Sequence, residues 1–167
     1  KPVIIAVVVQ ALWRLGQSQD AATRFRQVLD LGRGRADLSA QERTRLRDLQ
    51  NEALDYLIQV FVEDESNTAS DLFEFLEGIG GEQYARRVLL RLSDVYVSQA
   101  RYDRGIEAYE LLVAMDPASP EEVDYQREIL LARVAIDDLP GVLATATILA
   151  RTYAGGSEWA NQQGDSR

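Results

Sequence analysis

Between Arg86 and Ser119 the apolar residues recur every three or four positions on two stretches separated by a polar turn, the pattern of a helix, a short turn and a second helix. Leu89, Leu92 and Tyr96 mark the first stretch, Tyr102, Gly105 and Tyr109 the second, and Pro117 closes it. The same periodicity predicts helices upstream. One covers 3–15, with Ile5, Val8, Val9 and Leu12 on one stripe and Gly16 as its stop. The next covers 19–31 with Ala21, Phe25 and Val28. After a Gly32–Arg35 loop, Asp37-Leu38-Ser39 offers an N-cap for a single long helix over 40–63. Its first half is polar and basic, with Arg43, Arg45 and Arg47. Only its second half, with Leu49, Ala53, Tyr56, Leu57 and Val60, has an apolar stripe to bury.

A short helix carrying Ala69, Leu72, Phe73 and Leu76 follows, capped by Asn67 or Thr68 and stopped by the glycines at 78, 80 and 81. Farther on, Ser119-Pro120-Glu121-Glu122 predicts a helix start with Pro120 in the first turn and a capping box between Ser119 and Glu122. That helix runs to about Ile136, with Val123, Ile129, Leu130 and Val134 available for packing. Asp137-Asp138-Leu139-Pro140 restarts the chain into a last helix over 141–153 carrying Leu143, Ala146 and Leu149. Residues 155–167 have too little apolar content to fold alone and are expected to be a poorly ordered tail, the start of a further unit to which Trp159 belongs.

Small residues followed four positions later by an aromatic appear at Ala21/Phe25, Ala69/Phe73 and Gly105/Tyr109, and the interval from Ala69 to Gly105 is 36 residues. With Leu89, Leu92, Ser93, Tyr96, Gly105, Tyr109 and Pro117 at the defining places, the chain resembles the tetratricopeptide repeat family. Leu89 stands where that family usually has Trp, and Gly105 where it usually has Ala. The resemblance implies an all-α, right-handed α-solenoid of about eight helices in helix-turn-helix repeats. The expected repeats cover 2–35, 50–83, 86–119 and 120–153 of a single 1–154 domain, with 36–49 as a helical extension.

In that family the first helix of each pair lines a concave groove. Carried onto this chain, the groove face would present Trp13, then Leu54, Ile58 and Phe61, then Arg87, Leu90 and Asp94, and lastly Glu121, Asp124, Glu128 and Leu131. The implied partner is a peptide or helix with an apolar stretch and a basic end. The alternative is that the apolar members simply pack between repeats. Some members of the family grip a C-terminal carboxylate with Lys and Asn. Here Lys1 is the sole lysine, and that reading is rejected.

Composition narrows the chemistry further. The chain has no Cys and no His, which removes thiol nucleophiles, imidazole bases, disulfides and the usual zinc ligands. The adjacent acids Glu121/Glu122 and Asp137/Asp138 point in different directions on a helix and sit where helix starts place acids, so no catalytic group, metal or cofactor is expected. The Gly-rich segments at 32–34 and 78–81 lack the preceding strand that a phosphate-binding loop needs.

The net charge is −9, unevenly spread: residues 1–50 carry nine basic and five acidic side chains, whereas 51–167 carry nine and 22. An acidic body repels nucleic acid. The basic run over 33–47 could dock an acidic partner or lipid headgroups, but its interspersed acids fit a solvated helix face. The apolar run Val3–Val9 is far short of the roughly 18–20 residues that span a bilayer.

The chain begins at Lys and stops soon after a Trp, as expected of a piece of a longer protein from which any targeting segment is missing. ALDYLIQVF and TYAGGSEWAN are also similar to segments of large repeat proteins of the bacterial cell envelope, gliding machinery included. That likeness implies a periplasmic or outer-membrane-associated location, with the cytoplasm as the alternative. The expected work is non-catalytic protein binding, with self-association of a structural segment as the second possibility.

Overall fold

The computed structural model describes residues 23, 26–31, 35–78 and 80–165. The helix expected over 3–15, and Trp13 with it, lies outside these residues. Residues 26–29 are helical, and seven further helices follow: α1 Ala40–Glu63, α2 Ala69–Gly78, α3 Glu82–Ser98, α4 Tyr102–Met115, α5 Glu122–Ala135, α6 Leu139–Thr152 and α7 Glu158–Asp165. Among the described residues there is no strand. No described helix is long and apolar enough to cross a membrane. The chain forms two compact units, the first of Lys1–Asn67 with Asp71–Val88, the second of Thr68–Ser70 with Leu89–Arg167.

In the first unit α1 starts where its local sequence dictates. The Glu42 amide donates to Ser39 Oγ at 3.3 Å, and the Ser39 amide donates to Glu42 Oε2 at 2.9 Å, a complete capping box. The two Ser39 bonds hold the Glu42 carboxyl below its ordinary range. The first half of α1 is exposed, and the second half buries Leu54, Leu57, Ile58 and Phe61. After α1, Asp64 Oδ1 accepts from the Ser66 amide at 2.9 Å, a local Asx turn, and Asn67 Nδ2 donates to the Phe61 carbonyl at 2.9 Å. Long-range bonds then fix the end of the preceding helical segment. Gln50 Nε2 donates to the carbonyls of Leu29 and Leu31, and the Tyr84 hydroxyl donates to Leu29 O and Asp30 Oδ1.

Three helix ends use one device: a residue in the left-handed conformation, followed by an amide that reaches back five residues. Gly80 ends α2 with Gly81 N donating to Leu76 O, Ala100 ends α3 with Arg101 N donating to Tyr96 O, and Asp137 ends α5 with Asp138 N donating to Arg133 O.

The second unit is built on the positions that the repeat pattern assigned to packing. Leu89, Leu92, Ser93, Tyr96, Gly105 and Tyr109 are all buried, whereas Pro117 is exposed. Helices adjacent in sequence pack on one another here, α4 on α5 and α5 on α6. Arg133 ties them, donating to Glu110 Oε1 at 2.9 Å and to Asp138 Oδ2 at 3.1 Å. Asp138 also caps α6, accepting from the Gly141 amide at 3.0 Å.

Three local expectations need correction. The capping box of Ser119 and Glu122 does not form. Ser119 Oγ pairs with the Glu121 carboxylate, α5 begins at Glu122, and Glu122 is buried. Val134 and Leu143, expected to pack, are 54% and 70% exposed. Residues 158–165 form a helix where a poorly ordered tail was expected. Ser157 Oγ accepts from the Ala160 amide at 3.1 Å, and the Trp159 ring meets Tyr153 edge-on with centroids 5.0 Å apart.

A Cβ placed on Gly105 would lie 2.8 Å from Val97 Cγ2, so the closeness of α3 and α4 depends on the missing side chain. Gly105→Ala therefore sets a helix-propensity gain of about 1 kcal/mol against an overpacking cost of about 1–3 kcal/mol. The single variant is expected to lose stability in urea unfolding. In a Val97→Ala background the same change is expected to stabilise, because the clash is gone and the propensity gain remains.

Candidate functional site

Five of the residues expected to face a groove come together in the second unit. Leu90 and Asp94 on α3, Glu121 just before α5, and Asp124 and Glu128 within α5 line one open cleft of about 630 Å³. The helical spacing explains this. Leu90 and Asp94 are four apart on one face of α3, as are Asp124 and Glu128 on α5. Tyr109 and Tyr125 form the aromatic wall, their rings stacked with centroids 6.1 Å apart and planes 29° from parallel. Val97, Ser98 and Arg127 complete the lining.

The remaining expected residues go elsewhere. Leu131 is 54% exposed and does not line the cleft. Arg87 lines a different cleft, in the first unit. Leu54, Ile58 and Phe61 are each at most 1% exposed, so they are core residues rather than groove-lining ones. The second half of α1 is apolar around most of its circumference, and a helix of that kind is buried on more than one side.

The cleft carries four carboxylates and one arginine. Arg127 approaches Asp124 Oδ1 at 3.4 Å and Glu128 Oε1 at 3.1 Å, but these groups are largely solvent-exposed, and such pairs are worth only about 0–1 kcal/mol. An incoming cation can replace Arg127 at little cost. Below this rim the environment is drier. Tyr109 donates from its hydroxyl to Asp94 Oδ1 at 3.3 Å, and its pKa is pushed up to about 12 by burial, with the charges of Asp94 and Glu128 adding to the effect. Burial also pushes the Asp94 carboxyl up. Glu128 pushes in the same direction, and the Tyr109 hydroxyl and Arg91 oppose it.

Anionic oxygens beside the outer edges of a buried aromatic pair are suited to a cation with an apolar stem: the carboxylates meet the charge, and Leu90 with the ring edges meets the methylenes. Among the described residues no three acidic side chains come close enough to hold a metal ion.

The pattern had marked Tyr109 as a packing position, which it is, without indicating that its hydroxyl also reaches the cleft. Tyr125 carried no signal beyond its place between Asp124 and Glu128. Compared with family models, with characterised proteins and with solved structures, the chain matches none.

Cation binding favours ionised Asp94, whose carboxyl titrates above its ordinary value. Affinity for a lysine- or arginine-bearing peptide is therefore expected to fall, as pH is lowered, before the ordinary Asp value of about 3.9 is reached. Asp94→Asn is expected to remove that part of the pH profile. Fluorescence anisotropy across a pH series measures both.

Proposed function

We propose that this chain is a non-catalytic protein-interaction scaffold of the tetratricopeptide type, a right-handed α-solenoid that holds a segment of a partner protein bearing basic side chains. The observation that carries this reading is the convergence of Leu90, Asp94, Glu121, Asp124 and Glu128 on one cleft beside the Tyr109–Tyr125 stack. A cleft of that size takes one or two side chains, and the exposed surface around it supplies the rest of a peptide footprint. The burial of Leu54, Ile58 and Phe61 removes them from the proposed contact surface. The partner's recognition on this unit is then chiefly cationic, with Leu90 as its apolar contact.

A labelled peptide alternating Lys or Arg with Leu is expected to bind at low salt and to weaken as salt rises. Asp124→Lys with Glu128→Lys is expected to weaken it by about tenfold or more, because like charges then face the ligand. Circular dichroism of the variant should stay helical, since neither side chain is buried in the core. Equal binding by variant and parent sinks the proposal.

A second reading, a self-associating segment of a larger bacterial envelope assembly, is favoured by one observation. Leu131 and Val134 on α5 and Leu139 and Leu143 on α6 are each more than half exposed, apolar surface of the kind that marks contact sites. Sedimentation velocity decides between the two. Association that rises with concentration and disappears in Leu139→Lys/Leu143→Lys supports self-assembly, and a concentration-independent monomer rejects it.

A further inference from the structure

The first unit has a cleft of its own, of about 670 Å³, with the opposite electrical character. Its apolar surface is Leu31, 41% exposed, and the half-buried Leu46, backed by the buried Leu29 and Leu38. Its sides carry Arg43 and Arg47 from α1 and Arg87 from α3, and no carboxylate is among the described residues that line it. In a chain of net charge −9 this is a local reversal of sign.

Several of the arginines are neutralised by neighbours: Arg26 by Asp30, Arg35 by Asp37, Arg104 by Glu107. Arg43 and Arg47 are exposed and have no ion-pair partner among the described residues. They lie four apart, on one face of α1 and one turn from each other. The wall between them and this apolar surface is already fixed. Gln50 is committed to the carbonyls of Leu29 and Leu31, Tyr84 to Leu29 and Asp30, and Arg87 donates to Asn51. The guanidinium groups therefore stand beside an organised apolar surface.

We propose that this cleft binds an acidic, leucine-bearing segment of a partner protein, its apolar side chains on Leu31 and Leu46 and its Asp or Glu carboxylates on Arg43 and Arg47. A planar guanidinium accepts a carboxylate through two parallel hydrogen bonds, which favours Asp and Glu over a chloride or a diffuse charge. A polyphosphate or a lipid headgroup brings no apolar side chain to cover Leu31, which is 41% exposed. A small free anion likewise leaves Leu31 in water. This site goes beyond the cationic recognition proposed for the second unit, and each can fail without the other.

The test is a selection of random peptides displayed on phage against the immobilised full chain, with retained peptides then measured individually by anisotropy. The expected pool combines Asp or Glu with Leu, Ile or Phe. Its binding is expected to fall about tenfold or more in Arg43→Glu/Arg47→Glu, the loss of two charge-assisted contacts, and to be unaffected by Asp124→Lys/Glu128→Lys. Both arginines are exposed and the new acids sit in the N-terminal half of α1, so thermal melts of the variant should match the parent. The proposal is overturned if no acidic-apolar peptide is retained or if retention is unchanged in the arginine variant. Displacement by inorganic phosphate as readily as by free peptide overturns it in favour of a small-anion site. Concentration-dependent sedimentation abolished by the same arginine changes overturns it in favour of a second copy of this chain.

Discussion

The absence of a side chain at Gly105 governs what the second unit can be. The α4 backbone comes close enough to Val97 and to the Ser93 carbonyl that an added Cβ would sit 2.8 Å from Val97 Cγ2. That closeness brings Tyr109, one turn beyond Gly105, back toward α3, where its hydroxyl finds Asp94. It also sets the ring that stacks on Tyr125, and through Tyr125 it positions the α5 face carrying Asp124 and Glu128. Packing and recognition are thus one arrangement here: the aromatic wall of the cleft consists of buried side chains whose outer edges remain reachable.

Burial also decides which residues are left for recognition. The apolar side chains of the α1 second half are drawn into the core, so charge rather than greasy surface distinguishes the two clefts. One presents arginines over leucines, the other carboxylates beside tyrosines. Neither constellation includes an imidazole, a thiol or a grouped metal-binding set among the described residues. Electrostatic recognition of this kind gives specificity and association rate more than raw affinity.

Features set by neighbouring residues were legible in the sequence. The N-cap at Ser39, the helix restart at Asp137–Pro140 and the glycine stop after α2 each depend on a few consecutive positions. The resemblance to helix-turn-helix repeats put Leu90, Asp94, Asp124 and Glu128 on one expected face, and these four residues line the acidic cleft. What escaped depends on partners distant along the chain. Ser119 failed to box with Glu122 because the Glu122 side chain is drawn into the buried interior and Ser119 Oγ pairs with Glu121 instead. Leu54, Ile58 and Phe61 lay on a stripe that periodicity could identify but not assign to inside or outside, since the Leu57 stripe beside it is apolar too. The arginine-lined cleft was seen only as a basic run, because its apolar side at Leu29 and Leu31 is held by Gln50 and Tyr84 from elsewhere in the chain.

Of the three left-handed helix stops, only the one at Gly80 uses the residue that adopts that conformation freely. Ala100 and Asp137 turn the chain with a Cβ in place, a conformation that costs an ordinary residue about 1–2 kcal/mol. Both are solvent-facing corners outside the linings of the two clefts. The native chain consequently sits below its own attainable thermostability, with slack held at positions that an engineer could tighten while leaving molecular recognition untouched.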